Sequence, residues 1–325
     1  MNPDLAIHDW ISFLRREYLD AFIAGGGGSV KILIPSETEQ GEEILSDFEQ
    51  AAKDSGYLFI KVDSRRTKIH FIEQIFHEIA KQIVWVDLAR RFLVRLFREQ
   101  KYSLPEKTES LSLAELARIN DLDPKELALN LRKLIEKNVF KNYRMAREFR
   151  IAMTRFCQTV LDPEEITPAN SEIVQSWLKG ELKRIGPLKA LHIFQKITRH
   201  NARHFILSLG CWIKMAGYKG LFLILDLRRV TEDVKAALRT DGIYYSYSAA
   251  MDTYEVLRQF IDSSEEMENL LVLALTATEF SDLSSKRSFS IYPALKQRLI
   301  EDVTDKTKAN PFAPLVRLCL KERLN

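Results

Sequence analysis

The sequence predicts an α/β protein in which a parallel sheet of five strands lies between two layers of helices. Three observations carry that prediction. Residues 221–225 and 270–275 are unbroken apolar runs and 30–34 is nearly so, as expected of strands buried on both faces. Long stretches with apolar residues at helical spacing separate these runs. The chain has 325 residues, 46% of them hydrophobic, enough for one large core with an inserted module.

From the amino end, Ile7, Trp10, Ile11, Leu14, Tyr18 and Phe22 recur at helical spacing over residues 5–23, and four glycines close the run. Residues 30–34 (VKILI) form the first strand. A helix from Glu42 to about Asp54 carries Ile44, Leu45, Phe48, Ala51 and Ala52 on one face and stops at Gly56. Residues 57–63 (YLFIKVD) form the second strand, so 30–63 is a strand–helix–strand unit that favours parallel pairing through a right-handed crossover.

Residues 69–100 are helical, with a break near Val86 and Asp87, and the polar stretch 101–110 (KYSLPEKTES) marks a boundary. Helices are expected over 111–120, 125–136, 151–160, 171–184 and 187–216. Residues 218–226 (YKGLFLILD) are the clearest strand; a helix over 253–262, a strand over 270–276 and a fifth strand over 313–318 follow. The expected organisation is one α/β domain in two parts, 1–103 and 151–325, with 104–150 inserted as a helical module.

The net charge is +3, with 48 basic against 45 acidic residues, so any basic surface is local. Cys157, Cys211 and Cys319 are far apart and include no CxxC pair, which argues against a disulfide framework or a structural zinc. The amino terminus (MNPDLAIHDW) is polar and the longest apolar run is far too short to span a membrane, so the expected location is the cytoplasm.

Glycines, a lysine and a strand leading into a helix raise the question of a phosphate-binding loop. Such a loop places G-x-x-x-x-G-K-[ST] after a strand: glycines let N–H groups converge on phosphate, the lysine neutralises it and the hydroxyl holds magnesium. Gly25–Gly28 precede the strand and read as a flexible connector. The right place is 35–42 (PSETEQGE), where Pro35 and Gln40 replace the two glycines, Gly41 the lysine and Glu42 the hydroxyl. Proline has no N–H to offer, and Glu37, Glu39, Glu42 and Glu43 suit the helix dipole while repelling a triphosphate. Asp226 ends an apolar strand as a magnesium-binding acid does, but Leu227 stands where a hydrolase carries a water-orienting glutamate, and Arg228 and Arg229 follow.

Residues 177–181 (WLKGE) and 216–226 (AGYKGLFLILD) resemble the BREX-type phage-defence ATP-binding proteins, AAA+-like P-loop proteins of bacteria and archaea. Residues 13–19 (FLRREYL), 254–262 (YEVLRQFID), 275–280 (LTATEF), 292–299 (YPALKQRL) and 310–318 (NPFAPLVRL) extend the resemblance over most of the chain outside the insert. It implies an AAA+-like P-loop NTPase fold and a place in a prokaryotic antiviral defence or DNA-modification-linked complex. The departures fall on the nucleotide site: Pro35, Gln40, Gly41, Glu42, Asp226 and Leu227 form a degenerate version of it. The chain also stops at Asn325, soon after the fifth strand, so the family's carboxyl-terminal helical lid is expected to be absent. The expectation is a pseudo-ATPase without cofactor or catalytic residue, acting as a structural or regulatory subunit beside other proteins, an active ATPase homologue among them.

Within the insert, 111–120 and 125–136 flank a tight turn, with Asp123 as cap and Pro124 at the helix start, a helix-turn-helix pattern. From Lys125 to Arg150 eight basic residues stand against three acids. Lys125, Arg132, Lys133, Lys137, Lys141 and Arg144, beside Tyr143, are the candidates for contact with the backbone of double-stranded DNA. The other reading of this segment is a solvated helical pair that meets a protein. His200 and His204 lie one turn apart on a predicted helix, but spacing supplies no third ligand and no metal is expected. Two alternatives to the pseudo-ATPase stay open: a DNA-binding module using the insert, and an atypical ATPase that uses Lys31 or a lysine from a partner subunit.

Overall fold

The computed structural model describes residues 5–36, 41–162, 168–232, 242–299 and 310–319. The chain divides into two compact units, Met1–Ile75 with Lys219–Asn325, and Phe76–Tyr218; segment 104–150 is part of the second.

Among the described residues the first unit is built on a parallel sheet of six strands, one more than expected. They are β1 (Leu5–Ala6), β2 (Gly28–Pro35), β3 (Leu58–Asp63), β4 (Leu221–Asp226), β5 (Leu270–Leu275) and β6 (Leu315–Cys319), in the spatial order β1-β6-β2-β5-β4-β3. The extra strand, β1, is two residues long and pairs Leu5 with Leu318; two residues are too few to show any periodicity. Counted alone, the five longer strands run 5-1-4-3-2, an order consistent with a P-loop-like fold. The strand–helix–strand unit is parallel as expected, but β5 and β4 lie between its two strands.

Both faces of this sheet are covered. Helix α1 (Ile7–Phe13), its π-helical continuation Leu14–Phe22, and α2 (Gly41–Asp54) pack Ile7, Trp10, Leu14, Ile44 and Phe48 against Leu33, Phe222, Ile224, Leu271 and Leu273. The alternate residues Ile32, Ile34, Leu223, Leu225, Val272 and Ala274 are buried too, which is why these strands read as unbroken apolar runs. The glycines are not all connector: Gly26 takes φ 109° in the turn, but Gly28 is the first residue of β2. A Cβ on Gly28 would fall 2.2 Å from the Cβ of Met267, so the close approach requires glycine.

Short helix α3 (Ile72–Lys81) runs from the first unit into the second, which holds α4 (Trp85–Glu99), α5 (Leu113–Asn120), α6 (Pro124–Ile135), α7 (Arg147–Leu161), α8 (Pro168–Leu178), α9 (Gly186–Lys189) and α10 (Ala202–Met215). A π-helical continuation, Glu136–Phe140, extends α6. The break expected near Val86 falls at residues 82–84. The helix expected over 187–216 is instead two, separated by irregular chain. In that stretch the Asn201 side chain accepts from Thr198 N–H at 2.8 Å and donates to Lys196 C=O at 3.0 Å, bonds that compete with helix. The core of this unit is aromatic: Trp85 stacks on Phe156 with ring centroids 6.0 Å apart, and Phe205 meets Phe76, Phe149 and Trp177 edge-on. Returning to the first unit, α11 (Arg228–Thr231), α12 (Tyr247–Asp262) and α13 (Pro293–Leu299) complete the helices. Helix α12 starts six residues before its expected 253, because Ser246 caps it by accepting from Ala249 N–H. Among the described residues no helix is long and apolar enough to cross a membrane.

Candidate functional site

At the carboxyl end of β2 the chain does not leave the sheet where a phosphate loop would. Pro35 is buried in register with Leu318, and the Ser36 N–H and hydroxyl both donate to the Leu318 carbonyl at 2.8 Å. Pro35 has no N–H and that of Ser36 is taken, so neither is available to an anion. Glu37, Glu39 and Gln40 lie outside the described residues. Gly41 opens α2, and Glu42 and Glu43 occupy its first turn, where the helix dipole favours acids.

The carboxyl end of β4 is closed by a charge network. Both oxygens of Asp226 accept from Arg228: Nε to Oδ1 at 2.9 Å and Nη2 to Oδ2 at 2.7 Å. The same Nη2 donates to Glu42 Oε1 at 2.6 Å, and Lys61 Nζ lies 3.6 Å from Glu42 and 3.8 Å from Asp226. Among the described residues two acids and two bases meet here. The side chains of Asp226 and Arg228 are only 5% and 6% exposed, so each needs its partner, because burying an unpaired charge is costly. Burial opposes the charge of Arg228, but its bonds to Asp226 and then Glu42 outweigh that and raise its pKa. The bond from Arg228 is also the main reason the Glu42 carboxyl lies below its ordinary value.

Local structure holds Arg228 in place. Leu227 is fully buried and its N–H donates to Leu275 C=O at 2.7 Å. One turn on, the Thr231 hydroxyl accepts from Ala277 N–H at 2.8 Å and donates to Leu227 C=O at 3.0 Å. The strand-end acid Asp226 is therefore bound by a guanidinium, and Leu227 beside it is an apolar core residue. These residues do not fit a magnesium-bound triphosphate. Sequence reasoning noted Arg228 only for what it is not; the signal was the D-x-R spacing, which brings the arginine back over the strand end.

Lys31 is elsewhere. It is 4% exposed within β2, four residues or about 13 Å before Pro35. Its Nζ donates to the carbonyls of Phe312 and Ala313 and lies 4.8 Å from the Tyr18 ring centroid.

In the second unit, Ser112 caps α5 by accepting from Glu115 N–H at 3.2 Å. Asp123 caps α6, accepting from Lys125 and Glu126 N–H at 3.0 and 2.9 Å, as the sequence predicts. Leu127, Leu131 and Ile135 are buried, and Leu134 is half-buried. Lys125, Arg132, Lys133, Lys137, Lys141 and Arg144 are all exposed. They do not form one set: Lys125 and Arg132 border a groove of about 890 Å³ with Leu129, Phe140 and Gln158, and Lys141 pairs with Glu136 at 2.8 Å. His204 lies in α10 but His200 is in the turn before it. Among the described residues no cluster of three or more His, Cys, Asp or Glu is placed to hold a metal.

Comparison with known proteins adds one finding. No curated protein and no solved structure matches the chain. The family described as BREX system ATP-binding protein BrxC/D matches residues 110–322. That span takes in α5 and α6, which the motif resemblance left out, and also β4, Asp226 and Arg228; it begins after residues 13–19 and 35–42. With well over half of its 325 residues matched, the chain belongs to the BREX system ATP-binding proteins BrxC/D, a family of phage-defence components.

Proposed function

We propose that this protein is a pseudo-ATPase: a non-catalytic structural or regulatory subunit of a BREX defence complex that keeps the family's sheet to dock on other subunits, an active ATPase homologue among them. The observation that carries this reading is the hold of Arg228 on Asp226 and Glu42, an internal cation set against the acid expected to bind magnesium. The glycine, lysine and hydroxyl positions replaced at 35–42 support it from the sequence. Calorimetry with ATP and magnesium tests it: no binding heat is expected, and micromolar affinity overturns it. The burial of Lys31 among carbonyls counts against the atypical-ATPase alternative in its Lys31 form.

A second reading, contact with duplex DNA, is favoured by the exposure of all six predicted cations. Replacing Arg132, Lys133 and Lys137 by alanine is then expected to weaken duplex binding and flatten its salt dependence. Unchanged binding defeats it.

A further inference from the structure

The surface that follows α6 combines open aromatic faces with cations in a way that duplex contact does not call for. Tyr143 is 79% exposed, the most exposed large apolar side chain among the described residues, and Phe140 and Phe194 are 45% and 49% exposed. Each ring carries a guanidinium. Arg150 lies 4.7 Å from the Tyr143 centroid and 5.9 Å from that of Phe140, and Arg147 lies 5.8 Å from that of Phe194. Arg150 is held there by donating from Nη1 to Phe140 C=O at 2.5 Å. One guanidinium thus serves two rings, and Tyr143 stays open to solvent.

Tyr143 is displayed on a fixed loop. Ala146 N–H donates to the Ser208 hydroxyl at 2.8 Å, Asn142 Nδ2 lies 3.7 Å from Cys211 Sγ and 3.6 Å from Met215 Sδ, and Met145 is buried. A ring held open in this way has little left to lose in entropy when something stacks on it. The surrounding charge is one-sided: between 133 and 150, Lys133, Lys137, Lys141, Arg144, Arg147 and Arg150 stand against Glu136 and Glu148. Lys133 in α6 and Lys137 in its π-helical continuation are four residues apart and both exposed.

We propose that this surface binds single-stranded nucleic acid, with Tyr143 as the platform on which a base stacks and Lys133 and Lys137 as contacts to the phosphodiester backbone. Cations alone suit a duplex or an acidic protein equally. Open ring faces favour a single strand, because a duplex hides its base faces within its own stack. The proposal sharpens the DNA reading above by changing the form of the ligand, and it does not depend on the nucleotide site.

The test is fluorescence anisotropy of the full chain with a labelled deoxythymidine oligomer of about 20 nucleotides, the matched duplex, and polyglutamate as competitor. The oligomer is expected to bind more tightly than the duplex and to resist polyglutamate. Tyr143→Ala is expected to weaken it about tenfold or more with the salt slope unchanged, while Tyr143→Phe retains affinity. Lys133→Ala with Lys137→Ala is expected to flatten the salt slope. No binding at low salt, or equal binding by Tyr143→Ala, overturns the proposal. Preference for the duplex also overturns it and leaves the duplex reading standing. Displacement by polyglutamate overturns both and assigns the surface to an acidic protein segment.

Discussion

The carboxyl end of the sheet and the surface of α6 with its continuation use the same chemistry to opposite ends. At the first, Asp226, Arg228, Glu42 and Lys61 satisfy one another, with the central pair nearly out of water. At the second, Lys125, Arg132, Lys133 and Lys137 are exposed, and rings lie open beside the cations that follow. Burial explains the contrast. A charge removed from water must find its partner within the fold, so the buried set is closed to outsiders, whereas exposed charges keep their hydration and can exchange it for a ligand. In a family named for binding ATP, this member's internal charges gather at the end of the sheet and its open ones on a helical surface.

The largest test of that contrast is Arg228→Ala. It strands a carboxylate that is 5% exposed and is expected to cost about 3–5 kcal/mol in urea unfolding. The double variant Asp226→Asn, Arg228→Met is expected to recover most of that loss; a single variant as stable as wild type means the pair is not sealed. Next comes Asp123→Ala, which removes the cap of α6 and is expected to cost about 1 kcal/mol. Less follows from Glu42→Gln, at most about 1 kcal/mol, because this side chain is 65% exposed and solvent screens it. Since Arg228 holds the Glu42 carboxyl below its ordinary 4.5, its contribution is present above that pH and fades below it, so variant and wild-type midpoints converge in acid. The smallest effect belongs to the open surface: Lys133→Ala with Lys137→Ala is expected to leave stability within about 0.5 kcal/mol. A large loss there would show that these lysines also serve the fold.

Legibility tracked the range of the interaction. Strands β4 and β5 were read from their unbroken apolar runs, which burial on both faces leaves, although β4 begins at Leu221 and not at the expected 218; the edge strand β3 was read to within a residue. The Asp123 cap was read because a cap involves only its next three residues. The departure of 35–42 from G-x-x-x-x-G-K-[ST] was equally plain, since that motif is contiguous. What escaped was either too short, as β1 is, or decided by competition, as where the Asn201 side chain bonds the backbone of 196 and 198 inside the expected long helix. The aromatic stack escaped because Arg150 reaches back seven and ten residues across a turn whose path no periodicity describes.

The sequence by itself determined that the sheet is parallel and buried, that 35–42 departs from the phosphate-loop pattern at its glycine, lysine and hydroxyl positions, and that basic residues gather between 125 and 150. Only the tertiary structure decided that β5 and β4 lie between β2 and β3, and that Arg228 reaches Glu42 across 186 positions. Local residue patterns record which faces must be buried. Which distant segments meet is settled by closing long loops around a packed core, and there an arginine that looked like a mere departure from a motif becomes the centre of a charge network.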